Sequence, residues 1–410
     1  MLFTNPAAIK TAYPTELKAI LSKAGADECR LWISFWNRIY ARATPLRALP
    51  RLAEHLGVGS VLIKDEGDRS VLGSFKALGA PIALVRLILR RWPSSGFEPG
   101  RLFQGAYKNE VADFTVISAT DGNHGKALAA AAQSIGCGCV IVLHAKVSKE
   151  REQAIAQYGA QIVRIAGNYD ESVEEAARLG RVNGWEVVSD TSYEGYEEVP
   201  RDVMQGYGVI SAEIVEALSA PEGQGAPFTH VFLQGGVGGL AAGVLSYFWE
   251  RYGDKRPQVV IVEPAQADCL YQSATSGIPS RTNGSVDSVM AGLACGETSP
   301  LAWKFLETGA DFFLTIEDSD ATEAMRVLAE GRHGDIPLVS GESGAAGLAA
   351  LQVLRASDVL ARQAGLTDAS RILLINTEAA TAPAIYAEIV GTTDDAIRAR
   401  QAAWTSPVTL

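Results

Sequence analysis

Three short stretches of this sequence set reactive side chains beside glycines. The first is GSFKALG (73–79), which follows the apolar run SVLIKDEG (60–67) and carries Lys76. A lysine near the C-terminal end of a strand can project into the crevice where open α/β sheets hold ligands. Burial there is expected to lower its pKa and free an amine suited to a Schiff base with an aldehyde. The second is SATDGNHGKALA (118–129), where Thr120, Asp121, Asn123 and His124 crowd a turn shaped by Gly122 and Gly125. Exposed N–H groups in such a turn can hold a carboxylate, and Asn123 can hydrogen-bond a ring oxygen. An ordinary helix cap has the same composition. The third is QGGVGGLAAG (234–243), the densest glycine cluster in the chain. A glycine loop opening a helix offers N–H groups and the positive end of the helix dipole to a phosphate.

The third stretch has a second reading. Gly236, Gly238 and Ala241 fit G-x-G-x-x-A, and Glu263 ends the next strand, as in a dinucleotide fingerprint. An NAD-dependent oxidoreductase is therefore the alternative from another class. No Lys-Ser/Thr follows the glycines, which argues against a nucleoside-triphosphate loop.

The elements that must position these stretches alternate regularly. FTVISAT, CVIVLHA, QIVRIAG and WEVVSD read as strands, separated by the helices GKALAAAAQSIG, KEREQAIAQYG and DESVEEAARLGRVNG. Later THVFLQ, QVVIVEP and RILLINT alternate with MQGYGVISAEIVEAL and GLAAGVLSYFWERYG. Upstream, LPRLAEHLG reads as a short helix ended by Gly57, and SFKALGAPIALVRLILRRW as one amphipathic helix. Residues 1–48 form a helical and irregular arm whose Trp32 and Trp36 line either the core or a subunit interface. The alternation means an α/β fold with parallel sheets. Residues 113–193, a run of four strands and three helices, are expected as a smaller domain inserted into a larger one of residues 1–112 and 194–410.

Composition narrows the partners. The 410 residues are 47% hydrophobic and 20% charged, enough to bury a core. A net charge of −11 without a basic tract argues against nucleic acid or an anionic membrane surface. Residues 223–249 carry no charge, yet five glycines fall in their last nineteen residues, so strand, turn and helix explain them better than a membrane span. Lys10, Glu16 and Lys18 interrupt any secretory signal, and a cytoplasmic protein is expected. Cys29, Cys137, Cys139, Cys269 and Cys295 show no zinc spacing, so free thiols and no metal site are expected. Cys269 and Cys295 could pair only if the fold brings them together.

Together the three stretches resemble the fold-type II pyridoxal-phosphate enzymes, the group of threonine dehydratase and tryptophan synthase β. The order agrees from Thr44-Pro45-Leu46 to the last strand. Within that group KDEGDR (64–69), TDGNHG (120–125), DTSYEGYEEVPRDVMQGYGV (190–209) and SGESGAAGL (340–348) look like diaminopropionate ammonia-lyase. The resemblance implies two doubly wound parallel or mixed sheets, bound pyridoxal 5'-phosphate, a small amino-acid substrate and a homodimer. It implies Lys76 as the Schiff-base lysine. Phe75, Asn123, Gly235, Gly236, Val237, Gly238 and Gly239 would hold the cofactor, with Thr377 at the pyridine nitrogen and Glu378 away from the ring. Thr120, Asp121, Gly122, His124, Asp190 and Ser343 would meet the substrate.

The implied reaction removes ammonia from D- or L-2,3-diaminopropionate and leaves pyruvate. Lys76 would be the base for one isomer and Asp121 for the other, while Asp190 would hold or protonate the leaving amine. The chain departs from the family near the cofactor. Asn376-Thr-Glu-Ala-Ala-Thr381 stands where Ser-Thr-Glu-Gly-Asp-Thr is expected, Gly73 replaces Asn, and Ala80-Pro81 replaces a glycine. Those changes keep a dehydratase or racemase of serine, threonine or 3-hydroxyaspartate as the alternative.

Overall fold

The computed structural model describes residues 1–405 other than 121, 168 and 220–222. The first stretch of chain supplies β1 (Leu2–Thr4), β2 (Leu46–Ala48) and β3 (Ser60–Asp65). Next come β4 (Thr115–Ala119), β5 (Gly138–Leu143), β6 (Gln161–Arg164) and β7 (Glu186–Val187). The rest supplies β8 (His230–Gln234), β9 (Gln258–Pro264), β10 (Phe312–Ile316) and β11 (Arg371–Asn376). One sheet has the order β1-β10-β9-β8-β11-β3-β2, and a second has the order β6-β5-β4-β7. All neighbours are parallel except the two outermost pairs of the large sheet, β1 with β10 and β2 with β3. This is the expected mixed α/β architecture.

Parallel strands covered on both faces must be apolar along their whole length. HVFLQ in β8 and FFLTI in β10 are buried at every position. One core runs unbroken from Val116 and Ile141 of the small sheet through Leu84 and Val85 to Trp249. A second covers the other face of the large sheet, with Met325, Leu328 and Leu351 at its centre. Among the described residues no helix is long and apolar enough to cross a membrane. The uncharged run near residue 240 is strand, turn and helix, as read.

Two local expectations need correction, and an open alternative is decided for Trp36. The helix read through SFKALGAPIALVRLILRRW is broken into a tight turn, Phe75–Leu78, and a helix, Ala80–Arg91. The ring of Tyr207 lies so close to Gly79 that a Cβ there would stand 2.6 Å from its Cε1, and Pro81 restarts the helix. The N-terminal arm contributes two three-residue edge strands that were not expected. Trp36 belongs to the core, 1% exposed, and its Nε1 donates to Ser134 Oγ at 3.0 Å.

Candidate active site

The C-terminal ends of β3, β4, β7, β8 and β11 face one cleft, where ligands of open parallel sheets bind. Lys76 enters it from the turn that follows β3. That turn is stitched to the end of β11: Phe75 N donates to Thr377 O at 3.0 Å, and Ala379 N to Gly73 O at 2.9 Å. Gly73 holds φ +74°, a left-handed conformation that glycine adopts without strain. Nζ of Lys76 donates to Oδ2 of Asp190 at 2.5 Å.

That contact corrects the expectation for the lysine. Burial does work against its charge, but Asp190 overcomes it and holds the amine above the ordinary lysine value. Burial likewise works against the carboxylate of Asp190, and Lys76 wins, so Asp190 lies well below the usual carboxylate range. The amine is paired in this state, not free.

Asp190 is delivered by a pinned segment after β7. Tyr196 Oη accepts from Ser189 N and donates to Val187 O, both at 2.9 Å. His124 Nε2 donates to Val188 O at 2.9 Å, and its Nδ1 stands 3.7 Å from Asp190 Oδ2. Burial holds the His124 ring below its ordinary value.

The turn after β4 is shaped from within. Thr120 Oγ1 accepts from Gly122 N at 3.1 Å and from Gly125 N at 3.2 Å. Any side chain at Gly125 would collide with the Thr120 methyl. Asn123 Nδ2 donates to Glu378 Oε2 at 2.6 Å. Glu378 also accepts from Ser343 N and from Thr381 Oγ1, both at 3.1 Å. Glu378 therefore lines the cleft and carries Asn123. Ser343 Oγ accepts from Gly292 N at 3.0 Å, and Thr377 lies beside Glu378 in the wall.

The glycine loop closes the other side. Gly236 and Gly238 hold φ +60° and +100°. A Cβ on Gly235 would stand 2.6 Å from Glu263 Cγ, and one on Gly238 would stand 2.9 Å from Ala302 Cβ. The helix Gly239–Tyr252 begins there, so first-turn N–H groups without helical partners face the loop. Gly235, Gly236, Val237 and Gly239 line the cleft, whereas Gly238 makes the bend behind them. The loop has the form of a phosphate cradle, and side chains at Gly235 and Gly238 would collide with the wall behind it.

The structure thus brings together Phe75, Lys76, Thr120, Gly122, Asn123, His124, Asp190, Ser343, Thr377 and the loop. Asp121 lies outside the described residues. Tyr207, Arg151 and Tyr169 also line the cleft and were not expected. Tyr207 sits in the run DVMQGYGV that carried the resemblance, which was its one signal in the sequence.

The dinucleotide reading fails on Glu263. It is fully buried, and its two oxygens accept from Leu270 N and Tyr271 N, both at 2.8 Å. Burial pushes its pKa up to about 8. A carboxyl group that caps the next helix from the interior cannot reach a ribose. None of the five cysteines forms a disulfide, and Cys269 donates to Gly236 O at 3.4 Å.

Known proteins agree with this geometry. The family described as pyridoxal-phosphate dependent enzyme matches residues 38–378. The diaminopropionate ammonia-lyase of Salmonella typhimurium is 37% identical over 85% of this chain and 87% of its own length. That of Escherichia coli K12 is 38% identical over the same shares. The crystal structure of holo diaminopropionate ammonia-lyase from Escherichia coli superposes with TM-score 0.85 at 34% identity, over 95% of this chain and 96% of that one. A cradle for phosphate beside a buried lysine fits pyridoxal 5'-phosphate, which is the cofactor of this family. The chain belongs to the pyridoxal-phosphate dependent enzymes, in the family of the diaminopropionate ammonia-lyases.

Proposed function

We propose that this chain eliminates ammonia from 2,3-diaminopropionate, D or L, leaving pyruvate and a second ammonia. The observation that carries the reading is the Lys76–Asp190 pair at 2.5 Å in a cleft closed by a phosphate cradle. Gly235, Gly236, Val237, Gly238 and Gly239 would hold the phosphate, Phe75, Asn123 and Thr377 the ring, and Lys76 would bind the aldehyde carbon. When bound, the ring supplies an electron sink for the substrate carbon that loses its proton.

The remaining chemistry falls to side chains. Lys76 Nζ takes the α-proton from one face, and Asp121 takes it from the other in the opposite isomer. The β-amine leaves poorly unless protonated, and Asp190, a carboxylate in this state, is assigned to hold that amine or to pass a proton to it. Thr120, Gly122, His124 and Ser343 complete the substrate wall. We assign residues 113–193 to a smaller domain that forms one side of the cleft, and propose a homodimer working in the cytoplasm.

A pyruvate-release assay tests the reading across D- and L-diaminopropionate, serine, threonine and 3-hydroxyaspartate. Release from either diaminopropionate isomer, well above the hydroxy amino acids, is the expected outcome. Release from the hydroxy amino acids alone would replace the lyase with a dehydratase.

A further inference from the structure

Among the described residues three buried polar atoms of the cleft wall have no hydrogen-bond partner, Tyr207 Oη, Gln234 Oε1 and a ring nitrogen that faces Asp190. That nitrogen is Nδ1 of His124, whose residue is 4% exposed. It stands 3.7 Å from Oδ2 of Asp190, the oxygen that also takes Lys76 Nζ. The tautomer follows from the opposite side of the ring. Nε2 lies 2.9 Å from the carbonyl oxygen of Val188, which can only accept, so Nε2 carries the proton and Nδ1 is a bare acceptor. A lone pair facing a carboxylate gains nothing until a proton stands between them.

We infer that His124 is a positioning residue that holds the proton Lys76 gives up, so that Asp190 exchanges one cation for another. The inference rests on the reading of Lys76 as the cofactor-bearing lysine. Atoms and charges balance. An N–H bond of Lys76 breaks, and the proton passes by way of Asp190 Oδ2 to Nδ1 of His124, where a new N–H bond forms. The cleft begins with a charged amine, a carboxylate and a neutral ring. It ends with a neutral amine, the same carboxylate and a charged ring. Lys76 gains a free electron pair, Asp190 keeps an ion pair, and a proton is stored one step behind the group assigned to protonate the leaving amine.

Among the described residues the titratable surroundings are few. Asp190 and Lys76 face His124, Tyr207 and Cys295 face Lys76, and Tyr196 lies beside Asp190. Burial holds both tyrosine hydroxyls above their ordinary values, so neither supplies an anion near neutral pH. Asp190 is the carboxylate among these neighbours to which an imidazolium at His124 can pair.

The test needs no turnover. Nitrogen-15 NMR of the imidazole is recorded on the full chain free of cofactor, on the cofactor-loaded chain and on Lys76→Met, with His124→Asn to assign the signal. The free chain is expected to show a neutral ring at pH 7 with its proton on Nε2. In Lys76→Met, and equally in the loaded chain, the titration midpoint rises by about one pH unit or more, because Asp190 has lost its other cation. The double variant Lys76→Met/Asp190→Asn returns it. An unchanged midpoint in Lys76→Met overturns the inference, as does a proton on Nδ1 in the free chain. Lys76→Gln replaces Lys76→Met if that protein fails to fold.

Cofactor uptake, followed by its absorbance, separates this from the broader reading. His124→Asn is expected to slow uptake about tenfold at pH 7 and to recover as pH rises. Normal uptake by His124→Asn at pH 7 counts against His124 alone. Uptake that leaves Lys76 unmodified on borohydride reduction overturns the reading of Lys76, and the inference with it.

Discussion

Two lysines twelve residues apart make the same contact and do opposite things. Lys64, in β3, donates to Glu213 Oε2 at 2.5 Å, and Lys76 donates to Asp190 Oδ2 at the same distance. Around Lys64 the charges are closed on one another. Its amine also reaches Thr44 O at 2.8 Å, Arg69 bridges Glu213 and Glu66 at 2.6–2.8 Å, and Thr44 Oγ1 donates to Glu66 at 2.6 Å. Two cations and two anions cancel, and none of the four is more than 4% exposed. Lys76 and Asp190, with side chains 19% and 17% exposed, have a cleft on one side and an unprotonated imidazole nitrogen on the other. A closed charge network fixes the end of β3 to the helix Glu198–Leu218, whereas an open pair can change partners.

Removing each lysine's function should break the comparison cleanly. Lys76→Ala is expected to cut turnover of every substrate by more than about a thousandfold, since no other group can bind the aldehyde carbon. The Asp190 carboxylate it leaves unpaired opens on the cleft, so its urea midpoint should fall less than that of a variant that breaks the closed network. Glu213→Gln should behave the other way. It strands two buried cations and is expected to cost about 3–5 kcal/mol in urea unfolding. The molecules that remain folded should keep their KM. A larger stability loss in Lys76→Ala than in Glu213→Gln, with activity lost in folded Glu213→Gln, would erase the distinction.

The closed network also shows where the sequence was opaque. KDEGDR read as a family mark, and nothing in six consecutive residues says that Lys64, Glu66 and Arg69 are interior, because their partner Glu213 lies 149 residues from Lys64. The link of Glu378 to Asn123 is hidden for the same reason, since it spans 255 residues. What was legible were the parallel strands, since burial on both faces leaves unbroken apolar runs such as VVIV in β9. The glycine-bearing turns at their ends were legible as well. The edge strands β1 and β2, three residues each, are too short to show a period. The charge state of Lys76 was misread because a side chain's pKa depends on the neighbour the fold provides.

A pH profile sharpens the open pair further. Asp190 is held below its ordinary 3.8, so its share of stability is present above about pH 4 and is lost as pH falls below that. Lys76 is held above its ordinary 10.5, so its share is present below that value and is lost only at higher pH. The difference in unfolding free energy between the parent and Asp190→Asn should therefore be flat from about pH 5 to 9 and fall away in acid. In the same variant kcat should drop about a hundredfold, the usual scale for a lost acid catalyst. A stability difference that grows in acid would mean that the pair is not formed in the folded chain.

The smallest expected effects come from two hydroxyl groups in matching places. Tyr196→Phe removes the clamp on Ser189 N and Val187 O that delivers Asp190, and Thr44→Val removes the hydroxyl that feeds Glu66. Each loses hydrogen bonds worth about 1 kcal/mol, or somewhat more for the one to a carboxylate. The cost should surface in different measurements. A slack Asp190 misplaces a proton donor, so Tyr196→Phe should lower kcat about three- to tenfold and leave KM within about twofold, with little change in melting temperature. Thr44→Val leaves a buried carboxylate one donor short, so it should lower the melting temperature by a few degrees and leave kcat alone. If both variants moved the same quantity, the two lysine sites would belong to one coupled network, and the closed one would be part of the chemistry.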